Sequence, residues 1–123
     1  MSHRGDVTTE WADGTYTFRL TLAGIVELED KCGEGIAVIA ARLMSGVWGS
    51  KDVLEVLRIA LIGGGTGATD AKKLVDRYAL PIIENWPVAK AVLGGAMYGF
   101  EVSPLPKQTP AEQVTAQLAG LIH

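Results

Sequence analysis

The chain has 123 residues, 48% hydrophobic and 20% charged, a balance that builds one compact core and excludes a disordered chain. Eleven Lys and Arg stand against fourteen Asp and Glu, a net charge of -3 with no block of one sign, which argues against nucleic acid and anionic membranes as partners.

Residues 7 to 20 alternate polar and apolar on either side of Asp13-Gly14, a dipeptide suited to the positive φ angles of a type I′ turn. The alternation predicts a β-hairpin in which Trp11 pairs with Tyr16, Thr9 with Phe18 and Val7 with Leu20. One face then carries Val7, Thr9, Trp11, Tyr16, Phe18 and Leu20 and has to be covered by helices, because a lone hairpin is marginal in water.

From Thr21 the apolar period lengthens to that of a helix. Thr21 is the expected N-cap and Gly33 the stop of a first helix that carries Leu22, Ile25 and Leu28. A second helix starts near Gly35, turns Ile36, Ile39, Ala40 and Leu43 inward, and ends at Gly46. Ser50 is the expected cap of a third, whose Val53, Val56, Leu57, Ala60 and Leu61 share one side and which closes at Gly63-Gly64-Gly65. Thr69 is the expected cap of a fourth, with Ala71, Leu74, Val75 and Tyr78, broken at Pro81.

Pro87 suits the first turn of a fifth helix reaching Phe100. Ala91, Gly95 and Gly99 recur there every four residues and leave a stripe almost without side chains, an expected site of close backbone approach. Residues 101–109, with Pro104 and Pro106, read as a linker, and Thr109-Pro110-Ala111-Glu112 opens a last helix over 110–123 with an apolar stripe of Val114, Leu118 and Leu121. The expected fold is α+β, mostly α: an N-terminal hairpin on a cluster of about five helices within residues 1–100, then the linker and the C-terminal helix. Trp11, Tyr16, Phe18, Leu57 and Leu61 are the expected core.

No residue set in this pattern runs a reaction. Both histidines, His3 and His123, lie at the termini, so no internal imidazole can serve as base or metal ligand. Gly63-Gly64-Gly65-Thr66-Gly67 resembles a phosphate loop in composition, but it follows a helix and has no Gly-Lys-Ser/Thr ending. It remains a second alternative as a small-molecule or nucleotide site. Cys32 is the only cysteine, which suits a reducing compartment, and the polar N-terminus reads as lacking a secretory leader. The longest apolar run, Val88 to Phe100, is interrupted by Lys90 and falls short of the roughly 20 residues that cross a bilayer. The expectation is a cytoplasmic, non-catalytic protein with no cofactor and no metal.

Glu10-Trp11-Ala12-Asp13-Gly14, Phe18-Arg19-Leu20, Leu28-Glu29, Asp52-Val53, Leu57-Arg58, Leu61-Ile62-Gly63-Gly64-Gly65, Ala71, Leu74-Val75 and Pro81 together resemble the small tail proteins of gene transfer agents and related prophages. The resemblance spans roughly residues 5 to 100. It implies a protein encoded between the tail tube and the tape measure, acting in the bacterial host as a tail assembly chaperone for tape-measure or tube subunits, with a structural tail component as the alternative. It brings no catalytic residues. The expected partners are tail proteins, with a homo-oligomer compatible. Candidate contacts are Ala91, Gly95, Met97, Gly99 and Phe100 on the fifth helix and Val114, Leu118 and Leu121 on the last.

Overall fold

The computed structural model describes residues 5–100. The linker and last helix expected from residue 101 onward, with Val114, Leu118 and Leu121, lie outside the described residues. Two antiparallel strands, β1 (Val7–Trp11) and β2 (Gly14–Phe18), precede five helices: α1 (Leu22–Cys32), α2 (Ile36–Ser45), α3 (Ser50–Gly63), α4 (Ala68–Tyr78) and α5 (Trp86–Tyr98). A 3₁₀ turn, Ile82–Glu84, leads into α5 after a cis Leu80-Pro81 bond. The α+β, mostly helical class expected from the sequence is the class observed.

The hairpin forms with a different turn. Val7 pairs with Phe18, Thr9 with Tyr16 and Trp11 with Gly14, so the loop residues are Ala12 and Asp13, and the positive φ, +56°, falls on Ala12. The expected pairing is displaced by two residues. A displacement of two preserves which side chains share a face, so hydrophobic alternation cannot tell the two registers apart. Contacts outside the strands place each of them: the Trp11 indole ties β1 to Asn85, the Arg19 amide just after β2 is bonded to the Ala60 carbonyl, and the Tyr16 hydroxyl donates to the Asp13 carboxylate across the turn. Val7, Thr9, Trp11 and Phe18 are buried, so the inner face is the expected one.

Helix boundaries follow local chemistry. The Thr21 hydroxyl accepts from the Gly24 amide at 3.0 Å, and Gly33 stops α1 in a left-handed conformation, φ +71°, as Gly46 does for α2. Two expected caps move. Gly49, not Ser50, is the N-cap of α3, and the Asp52 carboxylate reaches back to the Gly49 amide at 2.9 Å. Gly67, not Thr69, is the N-cap of α4. Leu22, expected on the inner side of α1, is 78% exposed.

Helix α3 is the centre. It packs against α1, α2, α4, α5 and β2, and its Val53, Val56, Leu57, Ala60 and Leu61 are fully buried. Gly63 and Gly64 let its C-terminal end meet the hairpin: a Cβ on either would collide with the carbonyl oxygens of Arg19 and Thr17. The Arg19 amide donates to the Ala60 carbonyl at 2.9 Å in the same seam. Trp11, Phe18, Leu57 and Leu61 lie in the buried cluster, with Tyr16 packed at its margin.

Candidate interaction surface

Helix α5 and the two residues after it hold the sequence-derived contact residues that fall among the described ones, and the structure separates them. Gly95 is buried, and a Cβ there would strike the backbone of Gly5, which itself has φ +89°. The backbone that approaches this bare flank is therefore the chain's own N-terminal segment. Gly94 faces the Phe100 ring and Met44. Ala91 and Met97 are half-buried against the core. Gly99 is not inside the helix: it is the C-cap, left-handed at φ +74°, with its amide donating to the Gly95 carbonyl. The helix ends two residues before the expected Phe100 because Gly99 turns the chain out of it.

What remains accessible is the end of the helix. Tyr98 and Phe100 are 52% and 57% exposed, and their rings lie 5.2 Å apart between centroids. Two large aromatic side chains held together in water are the chemistry by which surfaces anchor partners. Of the expected contacts among the described residues, Phe100 is exposed, Ala91 and Met97 are partly so, and Gly95 is closed.

Two buried polar residues missed in the sequence organise other parts of the domain. Asn85 is buried between α4 and α5. Its Oδ1 accepts from the Trp11 indole at 2.8 Å, and its Nδ2 donates to the Tyr78 and Ala79 carbonyls, both at 3.0 Å. One side chain thus joins the hairpin to the end of α4 and the start of α5. Asp52 is also buried, accepting from Gly49 and, at 3.4 Å, from Arg42. The only available signals were an Asn just ahead of Trp86-Pro87 and an acid in the first turn after Ser50. Neither pattern names the distant partner.

Trp86 donates its indole proton to the Leu43 carbonyl at 2.8 Å and carries the Lys90 ammonium over its ring at 5.4 Å. Trp48 stacks beside it at 5.9 Å, but its buried indole nitrogen has no acceptor among the described residues. At the other end, Arg19 binds the nearly buried Asp6 carboxylate in a two-pronged pair, closest at 2.8 Å. Burial works against the Arg58 charge, but Glu27 and Glu55, at 2.9 and 2.7 Å, outweigh it and raise its pKa.

Cys32 is half-buried, donates weakly to the Lys51 carbonyl at 3.8 Å, and has its thiol pKa pushed up to about 11 by desolvation and then by the negative charges of Asp52 and Glu55. Such a thiol is a poor nucleophile at neutral pH. The glycine loop spends its amides internally: Gly64, Gly65 and Thr66 donate to Ala60, Ile62 and Leu61 carbonyls. Those three amides are not free to cradle a phosphate.

A family model described as phage tail tube protein, GTA-gp10, matches residues 4–99. The chain belongs to this family. No curated protein and no solved structure matches it. Membership in the GTA-gp10 tail tube family makes this a tail-associated protein whose partners are other phage tail proteins, and it bears out the gene-transfer-agent and phage-tail part of the resemblance. The matched residues cover the hairpin and all five helices. Among the described residues of this GTA-gp10 family member, no helix is long and apolar enough to cross a membrane, and no group of His, Cys, Asp and Glu is placed to hold a metal.

Proposed function

We propose that this GTA-gp10 family protein is a non-catalytic tail assembly chaperone, which holds a tape-measure or tube subunit in an assembly-competent state in the cytoplasm of the host. The observation that carries the reading is the exposed Tyr98 and Phe100 pair at the end of α5, two aromatic rings held side by side in solvent as an apolar anchor. The absence of catalysis in this reading is supported by how the buried polar groups are used. Asn85, Asp52 and Thr9 each bond to groups of their own fold, and the Cys32 thiol stays protonated.

The alternative, a permanent tail or tube component, is favoured by the family description itself. Mass spectrometry of purified particles separates the two. A chaperone is expected to be absent from finished tails while co-purifying with a tail subunit from cells in which tails are assembling. Stoichiometric copies in finished particles would overturn the chaperone reading and establish the structural one. A nucleotide site at Gly63–Gly67 has the least support, because Gly63 and Gly64 are engaged with the hairpin and its exit and three of the loop's amides are already bonded.

A further inference from the structure

An open groove of about 860 Å³ runs along α3 between α1 and α4. Its apolar floor is Leu54 and Val75. At one end of its α3 wall Arg58 is neutralised by Glu27 and Glu55, and on its α4 side Lys72 pairs with Asp76 at 3.1 Å. Three further cations line it, Lys31, Lys51 and Lys73, and none of them has a carboxylate within ion-pairing distance among the described residues. In a chain of net charge -3 this is a locally cationic site with an apolar floor. Nucleic acid is a poor occupant, because Glu27, Glu55 and Asp76 line the same groove and would face the phosphates.

The complementary surface is on the same molecule, around the corner of α1. Leu22, Val26 and Asp30 recur every four residues on the side of that helix turned away from the core. Leu22 is 78% and Val26 58% exposed, Asp30 is exposed, and Ala23 lies beside them. Lys31 is on the groove-facing side of the same helix. From Leu22 to Asp30 the helix rises about 12 Å, and from Lys51 to Arg58 the groove wall rises about 10 Å, so strip and groove are of similar length. A strip of this kind set into a groove of opposite charge is a known mode of helix recognition.

We propose that the α1 strip of one copy docks in the α3 groove of a second copy, with Leu22 and Val26 over Leu54 and Val75 and Asp30 among the lysines. The contact is heterologous, since strip and groove are different surfaces, so each pairing leaves one of each free and association continues into a ring or a chain of copies. One helix face buries less than the roughly 1,200 Å² of a stable interface, so the contact is weak and assembly is concentration-dependent. The proposal stands independently of the chaperone reading, which rests on different residues, Tyr98 and Phe100 at the end of α5.

The test is sedimentation equilibrium of the full chain from about 10 μM to about 1 mM, in low and high salt. The expected result is a mass that rises past the dimer with concentration and falls back in high salt. Two variants identify the surfaces: Leu22→Gln with Val26→Gln removes the strip, and Lys51→Glu with Lys73→Glu removes the groove. All four positions are on the surface, and circular dichroism melting verifies that each variant folds. Each variant alone is expected to be monomeric, whereas an equimolar mixture is expected to form a 1:1 pair and stop, because only one strip and one groove remain intact. A full chain that stays monomeric at about 1 mM in low salt overturns the proposal. So does association that either folded variant retains at the level of the unsubstituted chain.

Discussion

Replacing Asn85 with alanine tests the account of how the hairpin is fixed to the helices. The substitution removes three hydrogen bonds at once and strands the Trp11 indole proton and the Tyr78 and Ala79 carbonyls in a region where Asn85 is only 4% exposed. Each net bond is worth about 1 kcal/mol, and a buried partner left unsatisfied costs about 1–3 kcal/mol, so the expected loss is about 3 to 5 kcal/mol. Stability of a domain this size is typically about 5–15 kcal/mol, so the loss is a large share of the whole. Urea unfolding should show a midpoint lowered by roughly 2 M with the slope unchanged.

A double-mutant cycle with Trp11→Phe isolates the indole bond, because Phe keeps an aromatic ring while removing the donor. That ring touches Tyr16, Phe18 and Tyr78 at centroid distances of 5.8, 5.7 and 6.1 Å. The coupling energy should be about 1 kcal/mol or more. A loss below about 1 kcal/mol for Asn85→Ala, or no coupling to Trp11, would refute the claim that this side chain fixes the hairpin to the helices.

Three other perturbations follow from particular contacts. Gly64→Ala and Gly95→Ala should each destabilise by more than about 2 kcal/mol, despite alanine's better helix propensity of about 1 kcal/mol, because each new methyl meets backbone; Gly94→Ala meets a movable Phe100 ring at 3.2 Å and should be much milder in the same melts. Trp86→Phe should cost more than Trp48→Phe, which removes a buried donor that has no acceptor among the described residues and should stay within about 1 kcal/mol by urea unfolding.

Cys32 should react with iodoacetamide at pH 8 at least about tenfold more slowly in the folded chain than in urea, since folding raises its pKa to about 11. The folded state holds that proton more tightly than the unfolded state. Its contribution to stability is therefore complete below the unfolded thiol pKa of about 8.5 and is lost as pH rises through about 11. Cys32→Ser should flatten the decline in urea midpoint between pH 8 and 10.5.

Local chemistry alone determined the α+β class, the inner face of the hairpin, both ends of α1 and α2, and the C-terminal end of α3. Period-two alternation names a strand's buried side whatever its register, and Thr21, Gly33 and Gly46 act on backbone groups within a few residues of themselves. The tertiary structure decided what depends on groups far apart in sequence. Trp11 and Asn85 are 74 positions apart, and no pattern around Trp11 announces that its indole is held by Asn85 or that the turn sits at Ala12-Asp13. The glycine stripe of α5 was legible as a place of close approach, but only the folded chain brings Gly5 onto Gly95, and it leaves Tyr98 and Phe100 as the open apolar surface. Exposure belongs to the assembled core and not to a residue's own chemistry, which is why Leu22, apolar and at an inward-looking helical position, ends in solvent.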